Sequence, residues 1–147
     1  MATVSTTHVA AQLRLAITRT SRRLRQEAGV GLSPSQGAAL ASIERHGPLT
    51  PSEVASIERI QRPTATRLLA KLEAAGLVTR QADPVDRRSS LVSVTVSGSA
   101  LLAESRAHKD AFLAQRLRAL DPQDRATLAR AAEILDGLLA REDGERR

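Results

Sequence analysis

The chain has 147 residues, of which 41% are hydrophobic, and it carries a formal charge of +6. It has no cysteine, which excludes disulfides, thiolate metal sites and thiol redox sensing. Phe112 is its single aromatic residue, so packing depends on aliphatic side chains. No apolar run approaches the roughly 18 residues of a membrane-spanning helix, and segment 1–11 lacks the charged-then-apolar order of a signal peptide. We therefore expect a cytoplasmic protein without a membrane partner, and no pattern predicts a cofactor.

Capping residues and apolar spacing predict four helices in the first half of the chain. The first is long and ends near Gly29, since apolar positions recur at helical spacing before it. The next two each start with a hydroxyl cap, a proline, and a Gln or Glu that completes a capping box. The fourth starts at a proline preceded by Arg62, a poor cap, so free N–H groups are expected there. The predicted helices are 6–28, 34–45, 51–58 and 63–75.

A β-hairpin and two further helices are predicted after Gly76. Segments 77–80 and 91–96 are rich in β-branched residues and predict two strands. The polar segment 81–90 between them forms the basic tip of the hairpin. Helical spacing returns over 101–120 and again from Pro122, where a carboxylate cap precedes the proline.

The order of these elements is that of a helix-turn-helix followed by a β-hairpin wing. The second helix of such a unit enters the major groove, where Gln pairs with adenine, Arg with guanine, and Thr uses its hydroxyl or methyl group. Small Ala65 is expected to allow close approach to DNA, and basic side chains one turn apart can reach phosphates. In this helix the predicted DNA-binding residues are Gln61, Arg62, Pro63, Thr64, Thr66, Arg67 and Lys71.

Further DNA contacts are predicted outside this helix. Arg87 and Arg88 at the hairpin tip can lie along the backbone or enter a minor groove. Asp86 is expected to orient the wing through an ion pair with Arg88. The helix starts at Ser35 and Ser52 are expected to add backbone N–H contacts to phosphates.

The distribution of charge favours a polyanionic partner, double-stranded DNA in particular. Basic residues outnumber acidic ones in segments 1–31 and 59–88, whereas 32–58 is acidic and 89–147 is balanced. Three alternatives remain open at this point. The first is an enzyme, although the three histidines lie far apart without a nucleophile or carboxylate pattern, so no catalytic or metal-binding residue is assigned. The others are a winged-helix module for protein contacts and a membrane contact of the arginines within 14–25.

Residues 50–102 resemble the MarR family (multiple antibiotic resistance regulators). The resemblance rests on Thr64-Ala65-Thr66-Arg67-Leu68-Leu69, on Gly76-Leu77-Val78 and on the Asp-Arg-Arg of the hairpin at 86–88. The family commonly has Leu-Gly in the turn between its DNA-binding helices, where this chain has Glu58-Arg59. The resemblance implies a mainly α fold: a winged helix-turn-helix at 32–98 with a small antiparallel wing, between long dimerisation helices at 1–31 and 99–147.

The resemblance also implies a homodimeric regulator, most commonly a repressor. Such a dimer binds a pseudo-palindromic operator with half-sites about 34–36 Å apart. Many family members are released from DNA by a small anionic or aromatic ligand, which is a possible effector here. Apolar positions on the first and last two helices suit the implied interface. They are Val9, Leu13, Ile17, Phe112, Leu117, Leu128, Leu135 and Leu138.

Overall fold

The computed structural model describes residues 5–144, which form six helices and a two-stranded antiparallel sheet. This confirms the predicted mainly α winged-helix fold. Residues 1–4 and 145–147, which belong to the predicted regions 1–31 and 99–147, lie outside the described residues. The elements are α1 (Thr6–Glu27), α2 (Pro34–His46), α3 (Pro51–Glu58), α4 (Arg62–Ala74), β1 (Val78–Ala82), β2 (Ser90–Val94), α5 (Val96–Arg118) and α6 (Pro122–Gly144).

The capping boxes predicted from the sequence are present at α2 and α3. At α3, Thr50 Oγ1 accepts from the Glu53 backbone N–H (3.2 Å), and Glu53 Oε2 accepts from the Thr50 N–H (2.7 Å). The equivalent pair at α2 joins Ser33 and Gln36 at 3.1 and 2.9 Å. At α6, Asp121 Oδ1 accepts from the Asp124 N–H at 2.8 Å. These bonds satisfy N–H groups that a helix leaves free at its start, which fixes where each helix begins.

The end of the second predicted strand is wrong by two residues. Strand β2 ends at Val94, and Val96 begins α5 with its side chain 89% exposed. Thr95 is the reason, because its Oγ1 accepts from the Gly98 N–H (3.1 Å) and donates to the Gly76 carbonyl (2.6 Å). Thr95 still donates its backbone N–H to the Leu77 carbonyl (3.0 Å), but its hydroxyl caps α5, so the chain turns into a helix at Val96 although the apolar alternation continues in the sequence. The first strand also differs slightly, covering Val78–Ala82 instead of 77–80.

An aliphatic core joins α2, α3, α4 and the sheet. The side chains of Leu40, Val54, Leu69 and Val92 are fully buried, and each contributes roughly 1.5–3 kcal/mol when removed from water. Leu49, just before α3, exchanges two backbone hydrogen bonds with Val92, at 3.0 and 2.8 Å. This core therefore fixes α3 and α4 relative to the wing without any aromatic side chain.

The chain divides into two compact units, one through Lys109 and one from Asp110 onward. In the first, α1 buries none of its residues, and Leu13 and Ile17 are 38% and 46% exposed. In the second, the Arg116 guanidinium lies 3.7 Å from the centroid of the Phe112 ring, and α6 exposes Leu128 and Leu138. Within residues 5–144 no helix is both long and apolar enough to cross a membrane.

Candidate nucleic-acid interface

Helix α4 has one buried and one exposed face. Ala65, Leu69 and Leu72 are completely buried against the core. The prediction that Ala65 allows close approach to DNA is therefore wrong. Its small side chain instead lets α4 pack closely on its neighbours. The residues in and just before α4 that were predicted to contact DNA are all exposed. They are Gln61, Arg62, Pro63, Thr64, Thr66, Arg67 and Lys71.

The start of α4 lacks a side-chain cap. Gln61 is the capping residue, with extended backbone angles of φ −70° and ψ 145°, and Arg62 is the first helical residue instead of the cap. Because no side chain accepts from the first turn, the helix start offers free N–H groups to an external acceptor. Thr66 Oγ1 donates to the Arg62 carbonyl at 3.0 Å, so its methyl group and its acceptor lone pairs remain for a ligand.

The turn between α3 and α4 contains an unusual backbone conformation. Arg59 has φ 53° and ψ 43°, which makes it the only described residue other than glycine at positive φ. The left-handed region costs an L-residue roughly 1–2 kcal/mol. Two hydrogen bonds hold the turn: Arg59 N–H donates to the Ser56 carbonyl (3.3 Å), and Ile60 N–H donates to the Ala55 carbonyl (3.0 Å). This is the helix-ending arrangement in which glycine is the usual residue.

The wing tip is ordered by two aspartates. Asp83 Oδ1 accepts from the Val85 N–H at 2.9 Å, and Asp86 Oδ1 accepts from the Arg88 N–H at 3.0 Å. The contact of Asp86 thus differs from the predicted ion pair, because its carboxylate holds the Arg88 backbone and not the guanidinium. The side chains of Arg87 and Arg88 remain exposed.

The two serines predicted to add contacts lie in different surroundings. Ser35, at the start of α2, lines a groove of about 340 Å³ together with Thr64, Arg67 and Lys71. The structure therefore brings Ser35 next to the exposed face of α4. Ser52 is exposed in the first turn of α3 and does not line this groove.

The acidic residues of segment 59–88 do not neutralise the exposed cations. Glu73 is engaged by Arg80, whose Nε lies 2.8 Å from Glu73 Oε2, and the two wing aspartates accept backbone N–H groups. Within the described residues, no carboxylate pairs with the basic side chains of α4 and the wing tip: Arg62, Arg67, Lys71, Arg87 and Arg88. The resulting surface is cationic and carries hydrogen-bond donors, as a phosphate-binding face requires.

The predicted interface residues lie on α1, α5 and α6, and none of them is fully buried within one chain. Leu13, Ile17, Leu128 and Leu138 are exposed, and Val9, Phe112, Leu117 and Leu135 are partly buried. The predicted division into DNA-binding and dimerisation regions stays a prediction, as do the individual DNA and interface contacts. From the sequence, Arg59 replaces the glycine common at this turn and adds a charge near the predicted DNA-binding helix, without being assigned as a contact.

Comparison with known proteins agrees with this geometry. The MarR family model matches residues 32–90. The uncharacterized HTH-type transcriptional regulator Mb0904 of Mycobacterium bovis is 37% identical over 136 residues, covering 92% of this chain and 95% of the relative. The HTH-type transcriptional repressor MdtR of Bacillus subtilis is 36% identical over 112 residues, covering 70% of this chain and 71% of that protein.

A solved structure extends the comparison to three dimensions. A Pseudomonas aeruginosa PA01 protein described as a transcriptional regulator superposes with a TM-score of 0.81 at 37% identity, covering 94% of this chain and 99% of that one. These relatives are transcriptional regulators and not enzymes, in agreement with the prediction from the sequence. The family model, the identity over most of both chains and the shared fold together show that this chain belongs to the MarR family.

Proposed function

We propose that this protein is a sequence-specific transcriptional repressor that binds double-stranded DNA as a homodimer. The main support is the exposed start of α4, where Gln61, Arg62 and Thr64 stand free while the opposite face of the helix is buried. An α-helix presented in this way can enter the major groove and read base edges. The arginines of the wing add phosphate or minor-groove contacts beside it. The 36% sequence identity to MdtR, which is named a repressor, favours repression over activation.

The dimer is supported by apolar side chains that one chain leaves uncovered. Leu13 and Ile17 on α1, and Leu128 and Leu138 on α6, are all at least 38% exposed. Burial of such side chains against a second copy removes apolar area from water. A two-fold dimer would bind a pseudo-palindromic operator whose half-sites lie one helical turn apart, about 34–36 Å.

Release by a small ligand is supported by a cavity of about 290 Å³ within the first unit. Arg25, Arg106 and Lys109 line it together with apolar residues such as Leu32 and Leu102. This lining suits a small anion with an aliphatic body, because it contains no aromatic ring for stacking. Screening small carboxylates for release of bound DNA tests this part of the proposal, and loss of sensitivity in Arg25→Ala is expected. An Arg25→Ala variant that responds like the parent would contradict this assignment.

DNA binding is tested by fluorescence anisotropy with duplexes selected from a random pool, at several salt concentrations. We expect steep salt dependence, with log K falling by about 0.9 per phosphate contact for each tenfold rise in salt. Arg67→Ala should weaken binding to all duplexes alike and lower this slope by about one. Arg45→Ala is the matched control, since Arg45 is exposed on α2 about 15 Å along that helix from Ser35.

The second candidate function is a winged-helix module for protein contacts. It would predict no DNA retention at low salt, and the same titration therefore separates the two functions. The unpaired cations on α4 and the wing favour DNA, because the centre of a protein-binding surface is usually depleted of charge.

A further inference from the structure

We infer that Arg59, in the turn between α3 and α4, is a phosphate contact of the DNA interface; this inference rests on the proposed function. Its backbone occupies the left-handed region at φ 53° and ψ 43°, which favours glycine. An arginine there carries a conformational penalty that glycine would avoid. Strain of this kind persists where the residue serves a function, so the side chain is the place to look for one.

Nothing within the described residues uses the Arg59 side chain. The hydrogen bonds that close the turn come from the backbone N–H groups of Arg59 and Ile60, and glycine would make both equally well. The guanidinium takes part in no ion pair or side-chain hydrogen bond within residues 5–144, and the residue is exposed. The backbone hydrogen bonds therefore stabilise the turn, and the Arg59 guanidinium does not contribute to it.

The neighbouring acid is held away from Arg59. Glu58 Oε1 accepts a hydrogen bond from the Ser42 hydroxyl of α2, in a partly buried position. The Glu58 carboxylate is thus tied to α2, and it does not pair with the arginine that follows it. The cation remains available to an external anion.

Arg59 lies close to the leading end of α4. Arg59 precedes the capping residue Gln61 by two residues, so their Cα atoms are at most about 7 Å apart. The same end presents the uncapped N–H groups and Arg62. A phosphate that accepts from the start of α4 therefore lies within the neighbourhood of the Arg59 guanidinium, which binds phosphate bidentately.

The test compares Arg59→Gly, Arg59→Lys and the parent protein by anisotropy titration against one selected duplex and one scrambled duplex. We expect Arg59→Gly to bind both duplexes more weakly and to lower the salt slope by about 0.9, the value for one phosphate. Its urea unfolding midpoint should equal or exceed that of the parent, because glycine adopts this conformation freely. Arg59→Lys should keep the parental slope.

Two further variants make the outcome decisive. Arg59→Asn tolerates the left-handed conformation without charge and should repeat the binding loss of Arg59→Gly. Arg45→Ala, which removes an equal charge from the far end of α2, should leave the slope unchanged. If Arg59→Gly keeps the parental slope, or if Arg45→Ala lowers it equally, the inference is overturned. A parent protein that retains no duplex at low salt would instead overturn the proposed function itself.

Discussion

Gly98 is expected to be the least replaceable glycine of the first unit. A Cβ there would lie 2.2 Å from the Leu77 carbonyl oxygen and 2.8 Å from Val94 Cγ1. Gly98→Ala should therefore destabilise the protein by about 1–3 kcal/mol in a urea unfolding experiment. Gly37→Ala is the control, since its Cβ meets nothing within 4 Å, and it should stabilise α2 by about 0.5–1 kcal/mol. Equal stabilities of the two variants would contradict the close approach of α5 to Leu77.

Single residues differ in how far the local sequence determines their contacts. The capping pair Thr50 and Glu53 was predictable because both partners lie within one helical turn and their bonds are local. The buried position of Ala65 was not predictable, because the face of α4 that packs inward depends on α2, α3 and the sheet. The backbone contact of Asp86 was not predictable either, since the sequence shows a carboxylate close to an arginine and this pattern predicts an ion pair.

Asp86 provides a test in which charge and structure predict opposite results. Removing a negative charge near DNA would strengthen binding by electrostatics alone. Asp86→Ala should instead weaken it, because the Arg88 N–H loses its acceptor and the wing tip loses its shape. Asp86→Asn keeps an acceptor oxygen that can make the same turn, and it should bind at least as tightly as the parent. Tighter binding by Asp86→Ala in an anisotropy titration would refute the orienting role.

At the scale of elements, helix bounds followed from sequence more reliably than strand bounds. Proline after a hydroxyl or carboxylate cap marked the starts of α2, α3 and α6 at the correct residues. The end of β2 depended on Thr95, whose hydroxyl reaches the Gly76 carbonyl across the sheet. That contact joins residues 19 positions apart, and no local pattern contains it.

At the scale of the whole molecule, the sequence indicated association between chains, but it did not indicate the division into two compact units after Lys109, a position inside the continuous helix α5. Its helical spacing runs through this position without a change. The geometry of the predicted dimer interface likewise depends on a second copy of the chain. Apolar stripes on α1 and α6 therefore predict that an interface exists without defining its geometry.

The homodimer is testable through a charge placed on α6. Leu138 is 56% exposed in one chain, so Leu138→Glu costs little there but would bury a carboxylate in the dimer. We expect sedimentation equilibrium to show a shift from dimer to monomer, together with weaker operator binding. Val85→Glu is the matched control for the sedimentation measurement alone, because Val85 is 93% exposed at the wing tip and lies outside the proposed dimer interface. A Leu138→Glu variant that sediments like the parent would exclude this residue from the interface.

The proposed function requires the leading end of α4 to occupy the major groove in each half-site. Protection of guanine N7 from methylation, on a duplex selected by the protein, measures this directly because N7 faces the major groove. We expect two protected clusters about 10–10.5 base pairs apart, and Arg62→Ala should restore reactivity at one guanine in each. Guanines that stay fully reactive in both half-sites while the protein is bound would contradict this placement of α4.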